Sequence, residues 1–259
     1  MSDDLFDVRG RRALITGASR GIGYALARGL LDAGCTVVIN GRDEGALAAA
    51  QARLASAEQP GAGAVYGCAF DVTDSAAVAA GVARAEELAG PLDILVNNAG
   101  MQHRTPLHEF PDDAWHQLLH TNLTSAFLVG RAVARGMIAR GHGKIVNICS
   151  LQSEQGRPNT APYAATKGGL KMLTRGMCAD WAPYGIQVNG IGPGYIDTEL
   201  TRPLREDPEF DTWVRRRTPA GRWGTTADVV GALRYLVAPA SDFVNGQILY
   251  VDGRLLAVL

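Results

Sequence analysis

The sequence predicts a doubly wound α/β fold, a single domain over residues 1–259 built on a seven-stranded parallel sheet. Three observations carry this. Short apolar runs alternate with longer runs of helical period, as parallel strands joined by crossover helices require. The first of these runs leads through a glycine-rich loop, TGASRGIG, directly into a helical stretch. No linker, repeat or coiled-coil heptad divides the chain, whose length suffices for one sizeable core.

In chain order the strands fall at ALIT (13–16), CTVVIN (35–40), AVYGCAF (64–70), DILVN (93–97), KIVNIC (144–149), IQVNGI (186–191) and QILYV (247–251). An alanine-rich helix near 46–57 follows the second. After the sixth, PGYIDTELTRPLREDPEFDTWVRRRTPAGRWG breaks the periodicity with prolines and charges. That segment lies at the carboxyl edge of the sheet, where open α/β folds bind ligands, and it reads as a substrate lid around 195–222.

Composition narrows the function. With 47% hydrophobic and 20% charged residues and a net charge of -1, the chain lacks the positive field that nucleic-acid binding requires. The opening MSDDLFDVRG carries acids where a secretory signal carries bases, and no run reaches the length of a membrane span, so a cytoplasmic protein is expected. Cys35, Cys68, Cys149 and Cys178 stand singly among apolar residues, as buried thiols in a reducing compartment do. His116 and His120 have a metal-compatible spacing but neither an HExxH glutamate nor an obvious third ligand, and no metal is expected.

The glycine loop reads as a dinucleotide cradle. Gly17 permits a tight turn, Gly21 lets the backbone approach a pyrophosphate and Gly23 allows close helix packing, while the helix start offers N–H groups to an anion. The second strand ends in Asn40, Gly41, Arg42, where an enzyme using NAD would place an acid on the ribose hydroxyls. Arg42 and Arg20 instead suit a 2′-phosphate, which favours NADP(H) over NAD. Asp71, closing the third strand, is positioned to accept from an adenine amino group; the alternative is a helix cap, a role open equally to Thr73 or Asp74.

At the other end, APYAATKGGLKMLTR sets Tyr163 and Lys167 four apart, on one face of a helix. Lys144, Lys167 and Lys171 are the only lysines among 25 basic residues, which singles Lys167 out. A free phenol titrates near about 10 and is a poor base at neutral pH; a neighbouring ammonium favours its ionised form. Tyr163 is therefore the expected proton donor and acceptor, with Lys167 tuning it and binding ribose hydroxyls. Ser150, ending the fifth strand, is placed to meet the phenol and hold a carbonyl oxygen. NNAG (97–100) closes the fourth strand, and Asn122, in the helix beyond, is an unfavourable helix residue suited to binding a water that links Lys167 to solvent.

Together these residues resemble the short-chain dehydrogenases/reductases across roughly residues 9–253: TGASRGIG, the pair Asp71 and Val72, NNAG, Asn122, Ser150, the Tyr163 to Lys167 spacing, and Pro193–Gly194. The resemblance implies a Rossmann-fold NAD(P)-dependent oxidoreductase, usually a homotetramer, with Asn122, Ser150, Tyr163 and Lys167 as its catalytic tetrad. It also implies cofactor contacts from Gly17, Ser19, Arg20, Gly21, Ile22, Gly23, Asn40, Arg42, Asp71, Val72, Asn98, Ala99, Gly100, Tyr163, Lys167, Pro193, Gly194, Ile196 and Thr198. Within that set, the Ile196 backbone and the Thr198 hydroxyl would hold the nicotinamide amide and phosphate. Two positions depart from the family pattern: Gly192 stands where alanine is usual, with a looser lid hinge expected, and Arg254 replaces the second glycine of a VDGG ending.

The loops NNAGMQHRTPLHEF and NICSLQSEQGR extend the resemblance to members that act on a small polyhydroxy acid. A guanidinium binds a carboxylate bidentately, and Arg104 is the candidate, with Gln152 and Glu154 as hydroxyl partners beside Ser150 and Tyr163. The rivals are another keto-sugar acid, a 3-oxoacyl thioester, or a nucleotide sensor without chemistry.

Overall fold

The computed structural model describes residues 5–56 and 63–258. All seven strands form: β1 Arg12–Ile15, β2 Thr36–Gly41, β3 Val65–Ala69, β4 Ile94–Asn97, β5 Gly143–Ile148, β6 Ile186–Pro193 and β7 Ile248–Val251. They pair in parallel in the order β3-β2-β1-β4-β5-β6-β7. The order reverses between β1 and β4, which opens a crevice at their carboxyl ends. Nine α-helices are described: α1 Gly21–Leu31, α2 Glu44–Ala55, α3 Ser75–Ala89, α4 Asp112–Leu119, α5 Ser125–Arg140, α6 Ala161–Trp181, α7 Arg202–Arg205, α8 Pro208–Arg217 and α9 Thr226–Val237.

Alternation along each strand sorts the core into two layers. Ile15, Val37, Ile39, Ile94, Val96, Val146 and Ile191 pack beneath α1, α2 and α9, against Leu26, Leu30, Leu47, Val229 and Leu233. Their neighbours Leu14, Val38, Leu95, Ile145 and Val188 face the opposite way, against Val78 and Val82 of α3, Val129 and Met137 of α5, and Met177 of α6. Strands buried on both faces read as unbroken apolar runs for this reason.

Two boundaries differ from expectation. The alanine-rich helix starts at Glu44, because the Asp43 carboxylate caps it by accepting from Ala46 N at 2.8 Å; residue 57 lies outside the described residues. β6 runs through Gly192 to Pro193, and its last residues pair with Tyr250 and Val251. Gly192 is thus a strand residue in register with β7.

Candidate active site

The site gathers where β1, β4, β5 and β6 end. In the loop after β1, Gly17 (φ +61°) and Gly21 (φ +59°) adopt left-handed backbone that side chains resist. A β-carbon on Gly17 would also lie 2.8 Å from Ala99 Cα, so this loop and the NNAG turn are in close contact. Asn98 locks them together by donating from Nδ2 to the carbonyls of Thr16 (2.9 Å) and Gly17 (2.8 Å). The Thr16 hydroxyl takes the N–H groups of Asn98 and Ala99. α1 begins with no side-chain cap and no acid in its first turn, so its first N–H groups present an electropositive end to an anion. Ser19 and Ile22 flank that opening, and Ile22 also packs on the core.

Along the adenosine side the residues divide by freedom of movement. Asn40 is buried and its amide donates to Cys68 O and Phe70 O, stitching β2 to β3. Arg20 and Arg42 are exposed, at 75% and 68% of their side-chain surface, and reach Glu199 and Asp71 only at 3.8 and 3.9 Å. Such pairs stabilise by about 0–1 kcal/mol, so both guanidiniums can turn to a phosphate at little cost. Asp74, not Asp71, caps α3. Asp71 Oδ1 accepts from the Thr73 N–H and hydroxyl; those bonds and, to a lesser degree, Arg42 hold its carboxyl below the usual range despite partial burial. Val72 is buried beside it.

At the chemical end, Tyr163 and Lys167 lie one turn apart near the start of α6, with Lys167 Nζ 5.7 Å from the Tyr163 ring centroid. Lys167 is 4% exposed, and Nζ donates to Ile148 O at 2.7 Å. An ammonium has three donors, so this bond fixes its direction without exhausting it. Ser150 Oγ accepts from Gln152 N at 3.1 Å, which leaves the hydroxyl proton for another acceptor; no hydrogen bond joins Ser150 to Tyr163 among the described residues. Ser153 couples the two segments, donating to Lys167 O and accepting from Ser150 N.

Asn122 sits in a π-helical turn, His120–Thr124, between α4 and α5. Such turns insert one residue and re-aim side chains. Its Oδ1 accepts from Met101 N (2.8 Å), and its Nδ2 donates to Met101 O (3.0 Å) and Thr166 Oγ1 (3.2 Å). The amide ties the loop after β4 to α6. Gly100 lies beside this junction, where a β-carbon would come within 3.4 Å of Asn122 Oδ1 and 3.8 Å of Lys167 Nζ.

The segment after β6 is held by contacts of its own. Gly194 packs on Asp252, and its N–H donates to Val251 O. Ile196 is buried and bridges Gly224, while Thr201 Oγ1 donates to Ile196 O at 2.6 Å and lies 3.1 Å from Thr198 Oγ1. Of the substrate candidates, Gln152 is buried and its Oε1 lacks a partner in the protein, an acceptor whose desolvation costs about 1–3 kcal/mol until a donor arrives. Glu154 is engaged elsewhere: it pairs with Lys171 and accepts from the Tyr250 hydroxyl at 2.6 Å, and both bonds hold its carboxyl below the ordinary value. Arg104 is exposed over much of its surface, but loss of water around the guanidinium and the nearby Arg157 lower its pKa.

The profile of the family described as short chain dehydrogenase matches residues 11–209. The chain belongs to that family. It is thereby an NAD(P)-dependent dehydrogenase of Rossmann fold. It is 54% identical over 250 residues to a gluconate 5-dehydrogenase of Gluconobacter oxydans (96% of each chain), and 48% identical over 259 residues to a 5-keto-D-gluconate 5-reductase of Escherichia coli (99% of this chain, 100% of the relative). A crystal structure of a gluconate 5-dehydrogenase from Burkholderia cenocepacia in complex with NADP and tartrate superposes with a TM-score of 0.94 at 55% identity, covering 99% of both chains.

Several features of this dehydrogenase escaped the sequence reading. Arg157 lies with its guanidinium 4.3 Å above the Phe210 ring and 5.9 Å from that of Trp213. Tyr195 makes edge contacts with Phe210, Trp213 and Trp223. The signal was present as an aromatic density in the segment after β6, but only folding brings it against the loop after β5. Gly192 is explained by Tyr250, whose ring occupies the space a β-carbon would need. Arg254 adopts φ +71°, the left-handed conformation glycine would take without strain. Among the described residues no group of acids, histidines and cysteines is arranged to hold a metal, and no helix is long and apolar enough to cross a membrane.

Proposed function

We propose that this dehydrogenase interconverts D-gluconate and 5-dehydro-D-gluconate with NADP(H). The observation that supports the reading is that Tyr163 and Lys167 lie one turn apart near the start of α6, with buried Lys167 directed by Ile148 O and Ser153 tying that helix to Ser150. The relatives' names supply the substrate, and the exposed Arg20 and Arg42 beside the uncapped start of α1 fit a 2′-phosphate and a pyrophosphate.

When bound, the nicotinamide supplies or takes the hydride at C5. The protein's own part begins with Ser150, whose Oγ accepts from the Gln152 N–H and keeps its own proton to donate to the C5 oxygen. In reduction the Tyr163 hydroxyl donates its proton to that oxygen, and in oxidation the phenol oxygen accepts it. Lys167, directed by Ile148 O, stabilises the charge that develops on the phenol and offers its remaining N–H groups to ribose hydroxyls. Asn122 keeps the loop after β4 against α6. Gln152 Oε1, unpaired in the protein, suits a substrate hydroxyl. Exposed Phe127 on α5 and Met172 on α6 support the homotetramer implied by the family resemblance.

The test is a spectrophotometric screen of 5-ketogluconate, 2-ketogluconate, other keto-sugars and a β-ketoacyl thioester with NADPH and NADH. The highest kcat/KM is expected for 5-ketogluconate with NADPH. Preference for the thioester, or no turnover of any keto acid, would refute the assignment.

A further inference from the structure

In the proposed reaction Ser150 and Tyr163 act on one substrate oxygen. Among the described residues no hydrogen bond joins their side chains, so the backbone has to set the distance between them. Two bonds made by Lys167 do so. Its Nζ donates at 2.7 Å to Ile148 O, two residues before Ser150, and its carbonyl accepts at 2.9 Å from the hydroxyl of Ser153, three residues after Ser150. The same Ser153 oxygen accepts from Ser150 N at 3.3 Å, and Ser153 N donates to Ser150 O at 2.9 Å. Ser150 is thus bracketed by bonds that begin and end on a single helix residue, one turn beyond Tyr163.

The two halves of this bracket are built differently. One is the long side chain of Lys167, already assigned to the phenol and the ribose hydroxyls. The other runs through one half-buried hydroxyl. A group in that place must donate and accept at once, which a hydroxyl does and a methyl does not. Lys167 O, within α6, can take the extra donor because a carbonyl has two lone pairs. Ser153 also closes the 3₁₀ turn Leu151–Ser153, whose Gln152 N–H occupies Ser150 Oγ as acceptor and leaves its proton to be donated. Upstream, the end of β5 is pinned by Cys149 N, which donates to Ile191 O at 2.7 Å. Downstream, Glu154 meets Lys171 through a carboxylate 37% exposed and open to screening by salt. Ser153 is the inner of these two ties between the turn and α6.

We infer that Ser153 is a positioning residue for the reaction: its hydroxyl joins the Ser150 backbone to the Lys167 carbonyl and so sets the distance between the Ser150 hydroxyl and the Tyr163 phenol. This rests on the proposed roles of Ser150 and Tyr163 and adds the device that keeps them in register. An ångström of misplacement costs an aligned reaction about 10²-fold, so loss of this half of the bracket, with the Lys167 Nζ half intact, is expected to cost about tenfold.

Two measurements on Ser153→Ala test the role. Hydrogen exchange, read on the protein without ligand, is expected to quicken about tenfold or more at amides 149–153 while β5 stays as protected as in wild type. The kcat for 5-ketogluconate with NADPH is expected to fall about tenfold, with NADPH affinity within about twofold of wild type as the sign of an intact fold. Because Ser153 acts through Ser150, the same substitution in a Ser150→Ala background is expected to cost less than about twofold, a coupling that a general loss of stability would not produce. Exchange or kcat within about twofold of wild type, or an equal loss in both backgrounds, overturns the positioning role. The reading beneath it fails differently. Wild-type kcat in Ser150→Ala removes the proposed role of Ser150, whereas a crippled Ser150→Ala beside an unimpaired Ser153→Ala removes the positioning role alone. Should the screen return no keto acid, the substrate assignment falls and the exchange measurement decides by itself whether the hydroxyl holds the turn to α6.

Discussion

Replacing Gly192 by alanine, the residue more usual in the family, is expected to destabilise this protein, and the structure sets the size of the effect. A β-carbon there would lie 2.3 Å from Tyr250 Cδ1 and 2.4 Å from Cε1. Carbon atoms in good contact sit at about 3.5–4.0 Å, so the ring must retreat by more than an ångström. Its backbone cannot, because Gly192 and Tyr250 are partners in the β6–β7 ladder. Its hydroxyl is tethered as well, donating to Glu154, which pairs with Lys171. Either the core strains, at about 1–3 kcal/mol for overpacking, or the ring swings out and forfeits a hydrogen bond to a charged acceptor, about 1.5–3 kcal/mol. These are alternatives, so the expected cost is about 1–3 kcal/mol, or about 2–12 °C in Tm at this size. Urea unfolding of Gly192→Ala, Tyr250→Val and the double variant measures it. The valine makes room for the new methyl, so the double variant should be more stable than the sum of the singles predicts, by about 0.5–3 kcal/mol. A Gly192→Ala protein within about 0.5 kcal/mol of wild type, or an additive cycle, would refute the steric account.

Four further outcomes are expected. Tyr163→Phe should lower kcat by about 10²–10⁴-fold while NADPH affinity, read by fluorescence, holds. Arg42→Ala should weaken NADPH by about 10–100-fold, the worth of a charge-assisted phosphate contact, and leave NADH nearly unchanged; equal losses for both would remove the clamp on the 2′-phosphate. Arg254→Gly should raise stability by about 0.5–1 kcal/mol in urea unfolding, the relief of a left-handed arginine outweighing glycine's extra freedom in the unfolded chain. Asp228→Asn should cost about 1 kcal/mol at neutral pH, since Asp228 pairs with Arg222 and completes the capping box with Thr225 at the start of α9. The Arg222 bonds first, then the Thr225 N–H, hold this carboxyl far below its ordinary value of 3.8. Its folded pKa is depressed, so the stabilisation is complete above that ordinary value and is lost only as the pH falls toward the folded one. The gap between wild type and Asp228→Asn should be flat down to about pH 4 and narrow below it; a gap that widens in acid would contradict the assignment.

Much of the scaffold was legible because its physics is local. A parallel strand buried on both faces must be an apolar run, and each of the seven runs became a strand. The dinucleotide loop was legible because Gly17 and Gly21 are needed for their backbone angles, whatever lies around them. Tyr163 and Lys167 stood out through the motifs around them rather than through their spacing alone, and the helix that spacing required is α6.

What stayed hidden depends on distant partners. Gly192 read as a loose hinge before the lid, yet with Pro193 it completes β6, where the Tyr250 ring, contributed by the last strand, occupies the missing β-carbon's place. Asn122 read as an ill-suited helix residue; the helix is in fact π-wound there, and Met101 and Thr166, from two other segments, take up the amide. Nothing in HTNLT announces the extra residue. Glu154 lay two positions from Gln152 and looked equally free for substrate, but Lys171 and Tyr250 claim it, while Gln152 keeps an unpaired oxygen. Arg157 shows the same contrast most sharply. In sequence it is one arginine among many in a polar loop, and its stacking on Phe210 arises only when the segment after β6 folds against that loop. In a doubly wound fold the cofactor half is assembled from strand-end motifs that each carry their own conformational requirement. The substrate half is assembled from loops whose requirements are set by one another, so its chemistry becomes readable only after the sheet has brought those loops together.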